Sequence, residues 1–382
     1  MSTYHPIYLG LSLGVISALR IFGLMIIVPI IGLYASEYQT NAIGIGWAIG
    51  IYGLMQALFQ IPLGWYSDKI GRKPVIIVAL CIFALASFLQ ALTHNIHWLI
   101  VLRAIQGAAA INGVVSACAI DLAGTEQRTL VLGLIGMMIG VAFFFAMILG
   151  PILNHSIGLF HIYNLIGGLM LLAVLWVVWV LPPVTPIPHR WSWAPFMSKS
   201  FVLAATAGGV IHGVFTVIFS VLPLFLLKFY SESVMVYKIY APSMLFSLVI
   251  ALMVMRRVGK ESPVKWITVS MVAMTIGVTV VPFVTTLGLL MFITGFSVLE
   301  ATLPVFLIES SHATAQRGSL MGGYFSCVQL GVFLSSLMAG YVRVSYGVYG
   351  VVVMSVCILL VWLCFWGLYL HTKKCHHKQI NN

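Results

Sequence analysis

Four ionisable side chains stand inside long apolar runs of this 382-residue chain: Arg20, Arg103, His212 and Glu300. A charge at the centre of a bilayer costs about 2.5–3.5 kcal/mol on insertion scales, so such residues usually face water or one another. Glu300 is the best candidate for a proton carrier, because poor solvation disfavours the charged form of a carboxyl group. His212 titrates near neutral pH even when unperturbed, so the two side chains could share or exchange a proton.

Each of these residues also has a structural interpretation that stays open. Glu300 could form a fixed ion pair with Arg20 or another cation, and His212 could be a hydrogen-bonded core histidine. An arginine keeps its proton, so Arg103 could set the field around a carboxyl group, bind an anionic group, or only position helices. Arg20 lies in no motif of comparable strength and ranks below Arg103.

The composition indicates a membrane protein, with 61% hydrophobic and only 7% charged residues. A soluble domain carries about 25% charged residues. Apolar runs of about 20 residues predict transmembrane helices, whereas a β-barrel shows short alternating segments. The net charge of +11 does not require a nucleic-acid partner, because basic residues in cytoplasmic loops orient membrane helices. No removable signal peptide, metal site or cofactor is expected.

The apolar periodicity predicts an all-α membrane protein with twelve transmembrane helices. The predicted helices are 7–34, 42–65, 74–93, 96–120, 128–153, 160–181, 201–227, 236–256, 264–284, 287–309, 317–342 and 347–370. A proline-rich cytoplasmic linker at 182–199 separates an N-terminal unit (1–181) from a C-terminal unit (200–370). A basic cytoplasmic tail follows at 371–382.

The distribution of Lys and Arg predicts that both termini lie in the cytoplasm. Fourteen of these residues fall on the side of the termini and three on the other side, which follows the positive-inside rule. The fourteen are Lys69, Arg72, Lys73, Arg128, Arg190, Lys199, Arg256, Arg257, Lys260, Lys265, Arg317, Lys373, Lys374 and Lys378; the three are Lys228, Lys238 and Arg343.

A cluster of charges lies between the second and third predicted helices, in the stretch from Gly64 to Pro74. Gly64 allows close packing of a neighbouring helix, and Gly71 allows a left-handed backbone where the chain reverses. Asp68 could accept hydrogen bonds from the N-terminus of another helix, expected near Gly318 and Ser319. Arg72 and Lys73 hold the segment on the cytoplasmic side.

This stretch resembles the signature loop of the major facilitator superfamily, which reads roughly Gly-x-x-x-Asp-Arg-x-Gly-Arg-Lys. Gly64, Asp68, Gly71, Arg72 and Lys73 match, and Lys69 replaces the usual Arg. The resemblance implies two six-helix bundles with a central cavity lined by the four helices that carry the buried ionisable residues. It also implies a gate network at the cytoplasmic side, in which Asp121 pairs with Arg72, and Asp121 or Glu126 pairs with Arg128.

Two further segments resemble proton-coupled members of the superfamily. Arg103, Gln106 and Gly107 match the fourth-helix motif Arg-x-x-Gln-Gly, which is associated there with proton transfer. Gly150 and Pro151 match the helix bend of drug-extruding antiporters, although Ala146 stands where a glycine is usual.

Together these segments resemble the YajR-like group of drug/proton antiporters. The resemblance implies a transporter rather than an enzyme: a monomer in a bacterial inner membrane that exports small amphipathic molecules in exchange for protons. Import of a metabolite such as an organic acid, with Arg20 and Arg103 holding a carboxylate, is the alternative. A non-transporting membrane receptor or scaffold is the alternative of another class.

Overall fold

The computed structural model describes residues 5–123, 127–182, 198–226, 242–247, 249–250, 253–254, 263–310 and 317–380. Side chains at 128–129, 308–309, 317–319 and 373–380 lie outside that description. The described residues form helices joined by short connections. The helices are α1 (Pro6–Met25), α2 (Ala42–Ile70), α3 (Arg72–Gln90), α4 (Ile96–Ala108), α5 (Asn112–Leu122), α6 (Arg128–Val180), α7 (Lys199–Leu226), α8 (242–247), α9 (Pro263–Val280), α10 (Thr285–Ser310) and α11 (Arg317–Ile380).

Two of these helices are too long for a single crossing of the bilayer, and each contains one glycine with non-helical angles. The glycine in α6 is Gly158 (φ 76°), and the glycine in α11 is Gly347 (φ 66°). A positive φ costs glycine little because it has no Cβ. Each kink leaves an apolar segment on both sides. Within the described ranges, nine helical stretches are long and apolar enough to cross a membrane when these kinked helices count once.

Local sequence explains several helix ends. The side chain of Asn41 accepts hydrogen bonds from the backbone N–H groups of Ile43 and Gly44 and so caps α2. Asn95 caps α4 in the same way. Gly71 has φ 100° and separates α2 from α3, which confirms the left-handed turn predicted there.

Three boundaries differ from the sequence-based expectation. The first predicted helix, 7–34, ends at Met25 and continues as turns and a 3₁₀ helix at Ile31–Tyr34. The predicted helix 96–120 is divided into α4 and α5 at residues 109–111, where Ala109 leaves helical angles (ψ 51°). The segment expected as a loop after residue 65 is helical up to Ile70, so the charges of the signature stretch lie on a helix end.

The buried apolar side chains form two large clusters. One consists of residues between Leu9 and Leu181. The other consists of residues between Phe201 and Trp366, with Val28 and Met147 added from the first half of the chain. The halves meet closely where a Cβ on Gly46 would lie 2.6 Å from the Ser336 carbonyl oxygen. Glycine there lets α2 and α11 approach at backbone distance.

Candidate functional site

The second half of the chain brings His212 of α7 and Glu300 of α10 together. His212 Nε2 lies 2.8 Å from Glu300 Oε2, and the two side chains are 18% and 44% exposed. His212 Nδ1 lies 2.9 Å from the carbonyl oxygen of Gly208. A carbonyl oxygen only accepts, so Nδ1 carries a hydrogen. The short contact at Nε2 therefore needs one further proton, held by the imidazole or by the carboxyl group.

Aromatic rings surround this pair. The His212 ring lies 5.2 Å from the Phe296 ring, and Phe296 lies 4.3 Å from Phe215. Phe143, on α6 in the first half, lies 5.1 Å from Phe215, so both halves contribute to the aromatic cluster. Such surroundings strengthen the electrostatic coupling between the two titratable groups, because they lower the local dielectric constant.

Tyr324 of α11 lies beside the pair and was not singled out by the sequence. A Cβ on Gly208 would lie 2.8 Å from its hydroxyl oxygen, so the glycine makes room for the phenol ring. Tyr324 is 1% exposed, and its hydroxyl has no hydrogen-bond partner among the described residues. A tyrosine within an apolar run resembles an ordinary packing residue, so the sequence does not predict that Tyr324 lies beside His212 and Glu300.

The first half holds two buried guanidinium groups, Arg20 of α1 and Arg103 of α4, each 1% exposed. Arg20 donates to Oδ1 of Asn112 at 2.5 Å and to the hydroxyl of Tyr52 at 2.9 Å. The alternative ion pair between Arg20 and Glu300 is therefore wrong for this structure, since Glu300 pairs with His212. Tyr52 was not predicted as a partner of Arg20, but Asn112 is a rare polar residue in an apolar run.

Arg103 also has neutral partners. It donates to the carbonyl oxygen of Ala48 at 3.2 Å and to Oε1 of Gln106 at 2.9 Å. Its guanidinium lies 5.1 Å from the centre of the Tyr52 ring, a cation–π arrangement. Gly107 lies on the backbone of Tyr52, where a Cβ would be 2.3 Å from the carbonyl oxygen. The Arg103–Gln106–Gly107 motif thus joins α4 to α2.

Two carboxylates contact the guanidinium of Arg72 where α2 ends and α3 begins. Arg72 contacts Asp121 at 2.9 Å and Asp68 at 2.5 Å. The contact between Arg72 and Asp121 is the one that the signature motif implies. Lys73 donates to the carbonyl oxygens of Val178 and Leu181, where α6 ends. These contacts tie α2, α3, α5 and α6 together on one side of the first half.

Gly64 and Asp68 belong to the same signature stretch. Among the described residues, nothing lies within 4 Å of a Cβ placed on Gly64, so the close helix packing expected there stays a prediction. Asp68 contacts Arg72 on the neighbouring helix. Its predicted partners near Gly318 and Ser319 have side chains outside the described part of the chain, as does the side chain of Arg128.

The antiporter-type segment of α6 packs against the end of α1. A Cβ on Gly150 would lie 2.6 Å from the carbonyl oxygen of Ile26. The helix continues through Pro151, and its backbone angles leave the helical range only at Gly158. Close packing at Gly150 agrees with the role expected for a small residue. Gly158 lies between the predicted helices 128–153 and 160–181, so its kink agrees with that predicted boundary, and the bend at Pro151 stays a prediction.

Comparison with known proteins agrees with this architecture. The family model described as Major Facilitator Superfamily matches residues 13–315. The chain belongs to the Major Facilitator Superfamily. It is therefore a multi-pass membrane transporter of small molecules and not an enzyme.

The inner membrane transport protein YajR of Escherichia coli (strain K12) is 32% identical over 370 residues, which cover 92% of this chain and 81% of YajR. The class H tetracycline resistance protein of Pasteurella multocida is 31% identical over 147 residues, which cover 37% of this chain and 36% of that protein.

Among solved structures, the nucleoside transporter NupG superposes with a TM-score of 0.75 at 17% identity, over 94% of this chain and 98% of NupG. A bacterial homologue of the human lysosomal transporter Spinster, in an inward-facing and unoccupied conformation, gives a TM-score of 0.76 at 14% identity, over 96% of this chain and 97% of that chain. At these identities, the two structures support the fold alone.

Proposed function

We propose that this chain is a proton-coupled antiporter that exports small amphipathic molecules, with His212 and Glu300 as the proton-carrying pair. The observation that carries the proposal is the 2.8 Å contact between Nε2 and Oε2, together with the Nδ1 contact to Gly208. This geometry needs one proton between the two groups. Loss of that proton would leave a lone pair facing a carboxylate, which breaks the contact.

Breaking this contact links proton release to movement of the helices. His212 is on α7 and Glu300 is on α10, so their contact joins two helices of the second half. A proton that changes the relative stability of two arrangements shifts the population between them. In transporters built of two bundles, such a shift exposes the central site to one side of the membrane at a time.

Two relatives have names that favour export over import. One is the tetracycline resistance protein above, and another is the MFS antiporter QDR3 of Candida albicans (strain SC5314 / ATCC MYA-2876), 33% identical over 143 residues. Import of an organic acid in symport with protons is the second candidate. The two buried arginines with neutral partners favour it, because they could hold a carboxylate.

The finer features of the architecture are part of the same proposal. We place twelve helices in two six-helix bundles, 1–181 and 200–370, with both termini in the cytoplasm of a bacterium and the monomer in its inner membrane. The contacts among Arg72, Asp68 and Asp121 then form a latch on the cytoplasmic side. Opening and closing of that latch would accompany transport.

Proton flux in liposomes that contain the purified protein tests the proposal. A panel of amphipathic cations, anions and neutral compounds is added to wild type and to Glu300→Gln. We expect at least one compound to drive proton movement in the wild type, in the direction of antiport, and the variant to lose it while still folding. Proton movement in the direction of symport supports import instead. Full coupling in the variant would remove Glu300 from the proposed pair.

A further inference from the structure

The break between α4 and α5 places a helix N-terminus midway along a membrane span. Residues 96–122 form one apolar stretch of 27 residues, and the helix is interrupted at 109–111. The first backbone N–H groups of a helix have no acceptor within the helix. Here the first helical bond of α5 runs from the N–H of Val115 to the carbonyl oxygen of Ile111, and no side chain caps the end. The N-terminus of α5 thus carries a partial positive charge.

The guanidinium of Arg20 lies at this same helix end. Its partner Asn112 is the first residue of α5. Nε of Arg20 has no hydrogen-bond partner in the described part of the chain, although the side chain is 1% exposed. An unpaired donor on a buried cation is costly, because the charge has left water without full compensation.

A second buried side chain beside this helix end also lacks partners. Gln60 is 4% exposed, and neither its amide nitrogen nor its amide oxygen is hydrogen-bonded to a described residue. Its nitrogen would lie 3.2 Å from a Cβ on Gly113, the second residue of α5. Buried polar atoms in folded proteins normally have a partner. Arg20 and Gln60 therefore leave unpaired donors beside the first two residues of α5.

The protein itself supplies no anion to this position among the residues described. Of the four acidic side chains in those ranges, Asp68 and Asp121 pair with Arg72, and Glu300 pairs with His212. Glu37 lies exposed in the connection after the 3₁₀ helix. Arg103, also buried, adds a second positive charge nearby through its contact with Tyr52.

We infer that the N-terminus of α5, with Arg20 and Gln60, binds an anionic group of the transported molecule, most simply a carboxylate. Broken transmembrane helices use their half-helix N-termini in this way when they hold anionic substrate groups. A guanidinium fits a carboxylate with two parallel hydrogen bonds. The inference rests on the proposed transport function and adds the chemical class of the substrate to it.

Thermal unfolding of the purified full-length protein in detergent tests the inference without any proton gradient. The probes share one ring system: sodium 1-naphthoate, neutral 1-naphthamide and 1-naphthylmethylammonium chloride, at equal ionic strength. We expect naphthoate to raise the melting temperature of the wild type more than the other two. Arg20→Gln should weaken naphthoate binding at least about tenfold, as expected for loss of a charge-assisted hydrogen bond. Arg343→Gln, which removes a positive charge elsewhere, should bind like the wild type.

Asn112→Asp provides a second test that does not depend on the folding of Arg20→Gln. The new carboxylate would face Arg20, so it should raise the melting temperature without ligand and abolish the response to naphthoate. An unchanged response in this variant overturns the inference, as does a wild type that naphthoate does not stabilise or that the ammonium probe stabilises equally. Naphthoate binding is measured as a melting temperature in detergent and proton coupling as flux in liposomes, so failure of proton coupling and failure of this site give different results.

Discussion

Arg20 and Arg103 in the first half and Glu300 in the second half are all ionisable side chains on apolar helices, but they meet different partners. The arginines are 1% exposed and contact only neutral groups in the described structure. Glu300 has a side chain that is 44% exposed and contacts a titratable histidine. A histidine and a carboxyl group in contact can pass a proton between them, whereas an arginine keeps its charge. Under the proposed function, the two halves therefore have different tasks: fixed positive charge in one and proton exchange in the other.

The arginines of the first half also differ from one another in their partners. Arg72, the first residue of α3, has two carboxylate partners, while Arg20 and Arg103 have none among the described residues. Carboxylate partners around a cation at a helix end hold neighbouring helices together. A cation near the middle of a span without an anionic partner is expensive and more often has a role in function.

The largest expected effect concerns the second half. His212→Gln and Glu300→Gln should each lower substrate-driven proton movement by about a hundredfold or more, which is typical of losing a group that transfers a proton. The double variant should lose no more than either single one, because the two groups act as a unit. Proton flux in liposomes for all four proteins gives the coupling. Losses that multiply would show that the two residues act independently.

The next effect concerns the carboxylate partners of Arg72. Asp121 and Arg72 side chains are 3% and 5% exposed, and removing one partner of a buried pair costs about 3–5 kcal/mol. Asp121→Asn should fall at the lower end of that range, because Asp68 still contacts Arg72. Asp68 is 33% exposed, so Asp68→Asn should cost less than about 1 kcal/mol. Chemical unfolding in detergent measures both. Equal losses would contradict the difference in burial.

The smallest effect compares two buried tyrosines, one in each half. Tyr52 accepts a hydrogen bond from Arg20, so Tyr52→Phe should lower the free energy of unfolding by about 1.5–3 kcal/mol. Tyr324 has no hydroxyl partner in the described structure, so Tyr324→Phe should cost close to nothing. The same unfolding assay compares the two. A large loss for Tyr324→Phe would reveal a partner for its hydroxyl and would make the two halves more alike.

The sequence by itself determined the class of protein, most helix positions and the residues of the second-half pair. Apolar runs must become helices in a membrane, because every backbone polar group needs an internal partner there. A carboxyl group on such a helix needs a polar partner for the same reason, and His212 was one of few available to Glu300. The contact between Arg72 and Asp121 followed from the resemblance of the signature segment.

Only the tertiary structure decided which neutral groups surround the arginines, where the span 96–122 breaks, and that Tyr324 and Gly208 lie beside the pair. These features depend on helix rotation and on contacts between distant segments, such as the 92 residues that separate Arg20 from Asn112. Apolar periodicity carries little information on rotation when a helix is apolar on all sides. The α5 N-terminus next to Arg20 therefore becomes visible only when the helices are packed.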